Sequence, residues 1–192
     1  LGDSVSDNKQ RTLIFLAAGL VVVVAVVGLG EFGGFGDFGE YPSPDPSAAQ
    51  AANQWSGEDV EHSIPLDEIL SGGVPKDGIP SIDDPQFGTW SDLDEVFRAN
   101  PRVYLTKGPD GEQVKAYPYS ILVHHEIVND TVGGVPVAVT YCPLCGTTFA
   151  YRRNIDGTTY EFGVSGRLYK SNLLMYDRQT NSLWSQLEGE AV

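Results

Sequence analysis

The stretch VPVAVTYCPLCGTTFAY, residues 135–151, holds the only two cysteines of the chain, Cys142 and Cys145. The residues before and after the pair are rich in β-branched and aromatic side chains, which favours two strands. Pro143 fixes one backbone φ angle between the cysteines, and Gly146 permits a left-handed exit from the turn. We therefore predict a tight turn between two strands that points both sulfur atoms toward one place.

The segments around this turn predict an α+β fold that is mostly antiparallel β with one or two short helices. Turn residues at Gly108–Gly111 and Asn154–Gly157 indicate two β-hairpins. Short helices are expected over residues 66–70, from Ser91 onward and over residues 119–129. Further strands are expected over residues 102–106, 113–117, 158–162, 173–176 and 182–185. The folded domain is expected to cover residues 64–192. Because the sequence ends where a strand resumes, we expect either that the domain is truncated or that a partner chain or a second copy completes its sheet.

An apolar run precedes the domain. Residues 12–30 are almost uninterrupted apolar sequence and span roughly 25 Å as a helix. The run indicates an uncleaved single-pass membrane anchor or a signal-peptide core, and its length favours the anchor. Residues 1–11 carry Lys9 and Arg11, which places this tail in the cytoplasm and the domain outside the cell membrane. Residues 31–63, rich in Gly, Pro and acidic residues, predict a flexible tether.

The chain is strongly acidic. It has 26 Asp and Glu against 12 Lys and Arg, a formal net charge of −14. This charge argues against nucleic acid as a partner, because the phosphates would be repelled. An acidic surface poor in Lys suits a high-salt organism, where salt screens the repulsion. An ordinary acidic extracytoplasmic protein is the alternative.

Five segments in order resemble one family. They are HEIVND at 125–130, VTYCPLCG at 139–146, FGVSG at 162–166, LLMYDR at 173–178 and SLWSQ at 182–186. Together they resemble the family of domain of unknown function 3179, over roughly residues 64–192. The resemblance implies a bacterial or archaeal protein, often exported or membrane-anchored, and implies no mechanism. It favours His125 over His124 as a functional histidine.

The cysteine pair allows three hypotheses. The first is a soft-metal site for copper or zinc, whose ligands would be Cys142, Cys145, His125 and Glu126, with His124 or Asp130 as other fourth ligands. The second is a structural disulfide, since a close pair outside the cytoplasm tends to oxidise. The third is thiol–disulfide exchange, which is weakened because a strand, rather than a helix, is expected after the pair. Covalent haem is disfavoured, because Gly146 stands where the ligand histidine would be.

The other polar motifs indicate structure more than chemistry. Asp177 suits a structural turn with an internal side-chain hydrogen bond. Arg167 and Arg178 are candidates for an anion or substrate contact. Ser165 lacks the following glycine of a nucleophile elbow. An enzymatic role is therefore uncertain and less favoured, and a non-enzymatic structural or interaction protein is the alternative to a metal or thiol site.

Overall fold

The computed structural model describes residues 20–23, 55, 61–99 and 101–192. The strands are β1 Leu20–Val23, β2 Ile69–Ser71, β3 Phe87–Thr89, β4 Val103–Lys107, β5 Val114–Pro118, β6 Ile127–Val132, β7 Val135–Cys142, β8 Thr147–Arg152, β9 Asn154–Ile155, β10 Thr158–Thr159, β11 Phe162–Tyr169, β12 Asn172–Asp177 and β13 Leu183–Ser185. The helices are α1 Glu95–Ala99 and α2 Tyr119–His125, with short 3-10 turns at Leu66–Glu68 and Trp90–Asp92. The mostly antiparallel β architecture with few short helices is thus confirmed.

The strands form three larger sheets and one small ribbon. One sheet has the order β3-β1-β5-β4, a second has β13-β12-β11-β2, and a third has β6-β7-β8. All pairs are antiparallel except β1 with β5. The predicted hairpins β4–β5 and β9–β10 are both present.

The alternation of side chains along β7 builds two cores. Val137 and Val139 join the core cluster that also contains Leu122 of α2. Ala138 and Cys142 lie in a different cluster, together with Met175 of β12. Successive side chains of a strand point to opposite faces, so β7 separates the two clusters. Cys142 is therefore held between the β6-β7-β8 sheet and the sheet that contains β12.

Two predicted helices are shorter than expected. Residues 66–70 begin as a 3-10 turn, but Ile69–Ser71 pairs with β11 and becomes a strand. The helix expected over residues 119–129 ends at His125, because Glu126 has a φ of 58° and Ile127 onward pairs with β7. In both places, pairing with a distant strand overrides local helix propensity.

The predicted helix start at Ser91 is also displaced. Residues Trp90–Asp92 form a 3-10 turn that Thr89 caps, with the Asp92 carboxylate bound to the Thr89 amide at 2.5 Å. Helix α1 begins only at Glu95, and the Asp94 carboxylate accepts the Phe97 amide at 2.7 Å. The helix is therefore present, but it starts later than the sequence predicts.

Most of the predicted anchor and tether lies outside the described residues. Of residues 12–30, only Leu20–Val23 are described, as the strand β1. None of the helices in the described part of the chain has the length and apolar character needed to cross a membrane. The anchor, the tether and their orientation stay predictions.

Candidate functional site

The cysteine turn joins β7 to β8 as the sequence predicts. Cys142 is the last residue of β7 and pairs with Thr147, the first residue of β8. The Gly146 amide donates to the Cys142 carbonyl at 2.8 Å and closes the turn. Gly146 has a φ of 65°, a backbone conformation that favours glycine. Gly146 therefore sets the conformation of the turn directly after Cys145.

The two thiols lie in different environments. Cys142 is 1% exposed and packs in the core against β12, whereas Cys145 lies on the surface. Both cysteines are free thiols, so the structure gives no support to a structural disulfide. Burial raises the pKa of Cys142, and its hydrogen bond to Cys145 raises that pKa further. The buried thiol is therefore expected to stay protonated at neutral pH.

Cys145 is surrounded by hydrogen-bond donors. Its Sγ lies 3.0 Å from Thr147 Oγ1, and Asn172 Nδ2 donates to it at 3.1 Å. Partial burial alone would raise the pKa of Cys145, but hydrogen bonds from Cys142, Thr147 and Asn172 outweigh it and lower the pKa. Donors that bind the charged form of a group favour that form. Cys145 is therefore the better nucleophile of the pair.

A buried glutamine organises these donors. Gln186 is 0% exposed, and its Oε1 accepts hydrogen bonds from Thr147 Oγ1 at 3.0 Å and from Asn172 Nδ2 at 2.8 Å. Its Nε2 donates to Thr140 Oγ1 at 3.1 Å and to the Thr147 carbonyl at 3.4 Å. Because a carbonyl can only accept, the Gln186 amide has one orientation. Gln186 thus fixes the positions of the two side chains that contact Cys145.

Asn172 carries an unpaired atom at this site. The residue is 9% exposed, and its Oδ1 is buried without a hydrogen-bond partner among the described residues. A buried acceptor without a partner costs about 1–3 kcal/mol. The Asn172 amide nitrogen donates to Cys145 and Gln186, and in this orientation the amide oxygen has no donor among the described residues. The orientation of the Asn172 amide is therefore set by the two bonds that its nitrogen makes.

The other predicted metal ligands are either bound to groups other than the cysteines or partly buried. His125 ends α2, and its Nδ1 is hydrogen-bonded to the Pro80 carbonyl at 2.8 Å. Asp130 binds the buried Lys115 ammonium at 2.8 Å. Burial raises the pKa of Glu126 to about 7. Across residues 61–99 and 101–192, no group of three or more His, Cys, Asp or Glu is arranged to hold a metal ion.

The remaining candidates lie at the end of β12, in the turn that follows it, and within β11. The Asp177 carboxylate accepts the Thr180 amide at 2.5 Å and Trp184 Nε1 at 2.9 Å, an arrangement that ties the turn to β13. Arg178 donates to Asp83 at 2.5 Å and so connects β12 to the segment before β3. Arg167 is half-buried in β11, directly after a bulge. Anion or substrate binding by the two arginines stays a prediction.

Sequence reasoning missed three residues of the site, namely Thr147, Asn172 and Gln186. All three are polar residues at strand ends, where a turn or cap role is the ordinary interpretation. Gln186 did carry a signal, since it lies in the SLWSQ segment directly after an apolar strand. A polar side chain next to an apolar strand becomes informative only when the fold buries it.

The fold and the site together define a mostly antiparallel β domain with a free Cys-x-x-Cys pair on a hairpin turn. A family model described as "Protein of unknown function (DUF3179)" matches residues 76–192. The chain belongs to this family, as its five segments predict. No curated protein and no solved structure matches the chain.

Proposed function

We propose that this domain carries out thiol–disulfide exchange, with Cys145 as the attacking thiol and Cys142 as the resolving thiol. The observation that carries the proposal is the asymmetry of the pair. An exposed thiol with a lowered pKa lies beside a buried thiol with a raised pKa. A structural disulfide needs no such difference, because neither sulfur has to ionise once the bond is made.

The exchange runs in two balanced steps. The Cys145 thiolate attacks one sulfur of a substrate disulfide, forms a mixed disulfide and releases the other sulfur as a thiolate. Cys142 then gives its proton to solvent and attacks Cys145 Sγ, which breaks the mixed disulfide and releases the second substrate thiolate. The domain is oxidised to a Cys142–Cys145 disulfide and the substrate is reduced to two thiols. The reverse sequence oxidises a substrate dithiol.

The hydrogen bonds around Cys145 support the attacking role. The attack depends on the thiolate fraction, and donors from Thr147 and Asn172 increase that fraction. Cys142 is the thiol available to resolve the intermediate, because it ends β7 on the same short turn that carries Cys145, and the Cys145 thiol lies 3.9 Å from the Cys142 carbonyl. No helix N-terminus is required, since side-chain donors do here what a helix dipole does in other thiol enzymes.

The compartment is part of the proposal. An exchange domain is most useful where disulfides persist, on the outer side of a membrane. The predicted anchor over residues 12–30 would place the domain there. Fusing a reporter enzyme that is active only outside the cytoplasm to the C-terminus tests this placement, and activity of the reporter only in the cytoplasm would contradict it.

The test uses the full chain in its reduced form and a symmetrical small disulfide as the probe. The unmodified chain is expected to release two small thiols per chain and to end with an internal disulfide. Cys142→Ser is expected to release one thiol and to retain the other as a stable adduct, visible by mass spectrometry. Cys145→Ser is expected to react at least tenfold more slowly, because the remaining thiol is buried.

Two results would contradict the proposal. One is faster adduct formation on Cys142 of the Cys145→Ser chain than on Cys145 of the Cys142→Ser chain, which would reverse the roles. The other is equal reactivity of the two single variants. The soft-metal hypothesis stays a prediction and is tested by metal analysis of chain purified with a reductant. Copper or zinc bound in a ratio of one per chain, and lost in Cys142→Ser, would favour it.

A further inference from the structure

The hydroxyl group of Thr147 has two acceptors and one hydrogen. Thr147 Oγ1 lies 3.0 Å from Cys145 Sγ and 3.0 Å from Gln186 Oε1. A hydroxyl donates a single hydrogen bond. Thr147 can therefore donate to the sulfur or to the amide oxygen, but not to both at once.

The neighbours of Gln186 fix the orientations of the two amides in this network. Thr140 Oγ1 donates its hydrogen to the Phe149 carbonyl at 3.3 Å, so it accepts from Gln186 Nε2. The two hydrogens of Asn172 Nδ2 go to Gln186 Oε1 and to Cys145 Sγ. The amides of Gln186 and Asn172 therefore have fixed orientations, and the hydrogen of Thr147 is the one that can change its acceptor.

The protonation state of Cys145 decides which acceptor is used. When Cys145 is a thiol, its S–H can donate to Thr147 Oγ1 at 3.0 Å or to the Cys142 carbonyl at 3.9 Å, and the Thr147 hydroxyl donates to Gln186. When Cys145 is a thiolate, it cannot donate and gains most from an additional donor. The hydroxyl then turns to the sulfur, and Gln186 Oε1 retains only the bond from Asn172.

We infer that the Thr147 hydroxyl is a two-position switch, and that Gln186 is a positioning residue that opposes ionisation of Cys145 by competing for that hydroxyl. This inference deepens the proposed exchange, because it names the group that adjusts when the thiolate forms and when it is consumed. Once Cys145 enters a disulfide, the sulfur is a poor acceptor and the hydroxyl returns to Gln186. The Thr147 hydroxyl thus stabilises the Cys145 thiolate in the reduced domain and binds Gln186 in the oxidised domain.

The test is a double-variant cycle that measures the thiolate fraction of Cys145. The measurements use the full chain with Cys142→Ser, so that one thiol titrates. Thr147→Val is expected to lower the thiolate fraction at pH 7 about fivefold, the effect of one lost hydrogen bond to a partly exposed anion. Gln186→Leu is expected to raise it about twofold to fivefold, because the hydroxyl loses its competing acceptor.

The decisive measurement is Gln186→Leu in the Thr147→Val background. There the glutamine has no hydroxyl to compete for, and its other effect, through the bond that holds Asn172, is common to both backgrounds. The rise in thiolate fraction is therefore expected to be at least about twofold smaller than in the Thr147 background. An equal effect of Gln186→Leu in both backgrounds would overturn the inference. Thr147→Ser retains the hydroxyl and is expected to match the unmodified residue. The matched control is Thr148→Val. The Thr148 hydroxyl contacts Tyr119 at 3.1 Å rather than Cys145, so its removal is expected to leave the thiolate fraction unchanged.

A second measurement covers the case in which Gln186→Leu does not fold. The S–H stretching band of Cys145 is expected to be that of a hydrogen-bonded thiol, and to move toward the free position in Thr147→Val, where the Cys142 carbonyl at 3.9 Å remains as a weak acceptor. A band at the free position in the unmodified residue would overturn the switch. The cycle does not depend on exchange activity. A chain that shows the coupling but does not reduce a disulfide would disprove the proposed function and leave the switch in place.

Discussion

Replacing Asn172 by leucine is expected to lower the reactivity of Cys145 without destabilising the fold. The change removes two hydrogen bonds from Nδ2, at 3.1 Å to Cys145 and 2.8 Å to Gln186. Together these bonds are worth about 2 kcal/mol of folding free energy. The change also removes the buried Oδ1 that has no partner, which relieves about 1–3 kcal/mol. The two effects nearly cancel, so the free energy of unfolding is expected to change by less than about 1 kcal/mol.

The thiolate loses one donor in the same variant. A hydrogen bond to a charged group is worth about 1.5–3 kcal/mol, and solvent replaces part of it because Cys145 lies on the surface. A residual loss of about 1 kcal/mol lowers the thiolate fraction roughly fivefold. A more basic thiolate is also more nucleophilic, so the alkylation rate at neutral pH is expected to fall only about twofold to threefold.

A second buried asparagine is the matched control. Asn129 is 1% exposed, and its amide accepts from the Phe162 amide at 2.9 Å and donates to the Phe162 carbonyl at 2.8 Å. Asn129→Leu leaves both backbone groups buried and unpaired, so it is expected to cost about 3 kcal/mol or more. It contacts neither cysteine in the described network, so the titration of Cys145 in the folded variant is expected to stay unchanged.

Two assays decide between a functional and a structural Asn172. Urea denaturation gives the free energy of unfolding, and the ultraviolet absorbance of the thiolate, followed against pH in the Cys142→Ser background, gives the ionisation of Cys145. If Asn172→Leu lost as much stability as Asn129→Leu and did not alter the Cys145 titration, the assignment of Asn172 to the thiol site would be refuted.

Two further predictions concern the fold around the site. Burial raises the pKa of Glu126 to about 7, so the folded state binds the proton of this carboxyl group more tightly than the unfolded state does. The free energy of unfolding is highest below the unfolded pKa and is expected to fall by roughly 2 kcal/mol as pH rises toward 7. Urea denaturation between pH 5 and pH 8 measures this slope, which is expected to vanish in Glu126→Gln. Gly166 has a φ of 71°, and an added Cβ would lie 2.1 Å from the Val74 carbonyl, so Gly166→Ala is expected to cost more than about 3 kcal/mol. Gly157→Ala has a similar φ but open space, so it is expected to cost only about 1 kcal/mol, and equal losses would contradict the role of the close contact.

The sequence predicts the parts of the fold that local chemistry determines. Gly146, with its φ of 65°, makes the cysteine turn recognisable, and the hairpin turns at Gly108–Gly111 and Asn154–Gly157 follow from the same logic. The helix boundaries at residues 70 and 126 could not be predicted in this way. Both depend on pairing with strands that are distant in sequence, and such pairing is invisible to periodicity.

Of the site, the sequence predicts only the two cysteines. The spacing of Cys142 and Cys145 makes the pair a candidate, but Asn172, which donates to Cys145, and Gln186, which binds Asn172 and Thr147, come from distant parts of the chain. Asn172 begins β12 and Gln186 follows β13, 27 and 41 residues after Cys145. His125 was expected to complete the site because it precedes β7 in sequence. In the structure its ring is instead hydrogen-bonded to the segment before β3, through Pro80.

The chemistry of the donors leads to a last prediction about salt. The groups that the described residues offer Cys145 are uncharged, namely a thiol, a hydroxyl, an amide and a backbone N–H. Contacts of this kind are short-ranged and little screened, whereas the Debye length falls from about 10 Å at 0.1 M salt to about 3 Å at 1 M. The net charge of −14 opposes a further anion at low salt. Salt removes this opposition and leaves the hydrogen bonds in place.

The sign of the salt effect therefore distinguishes two origins of a reactive thiolate. We expect the thiolate fraction of Cys145 at pH 7 to stay constant or to rise between 0.1 M and 1 M sodium chloride, about the range over which surface charges become screened. A thiolate that depended on a nearby Lys, Arg or protonated His would ionise less as salt screened the cation. A fall in the thiolate fraction, measured by ultraviolet absorbance in the Cys142→Ser chain, would show that a cation contributes. Such a site suits the acidic surface that the sequence predicts for a high-salt environment, because its reactivity does not rest on interactions that salt removes.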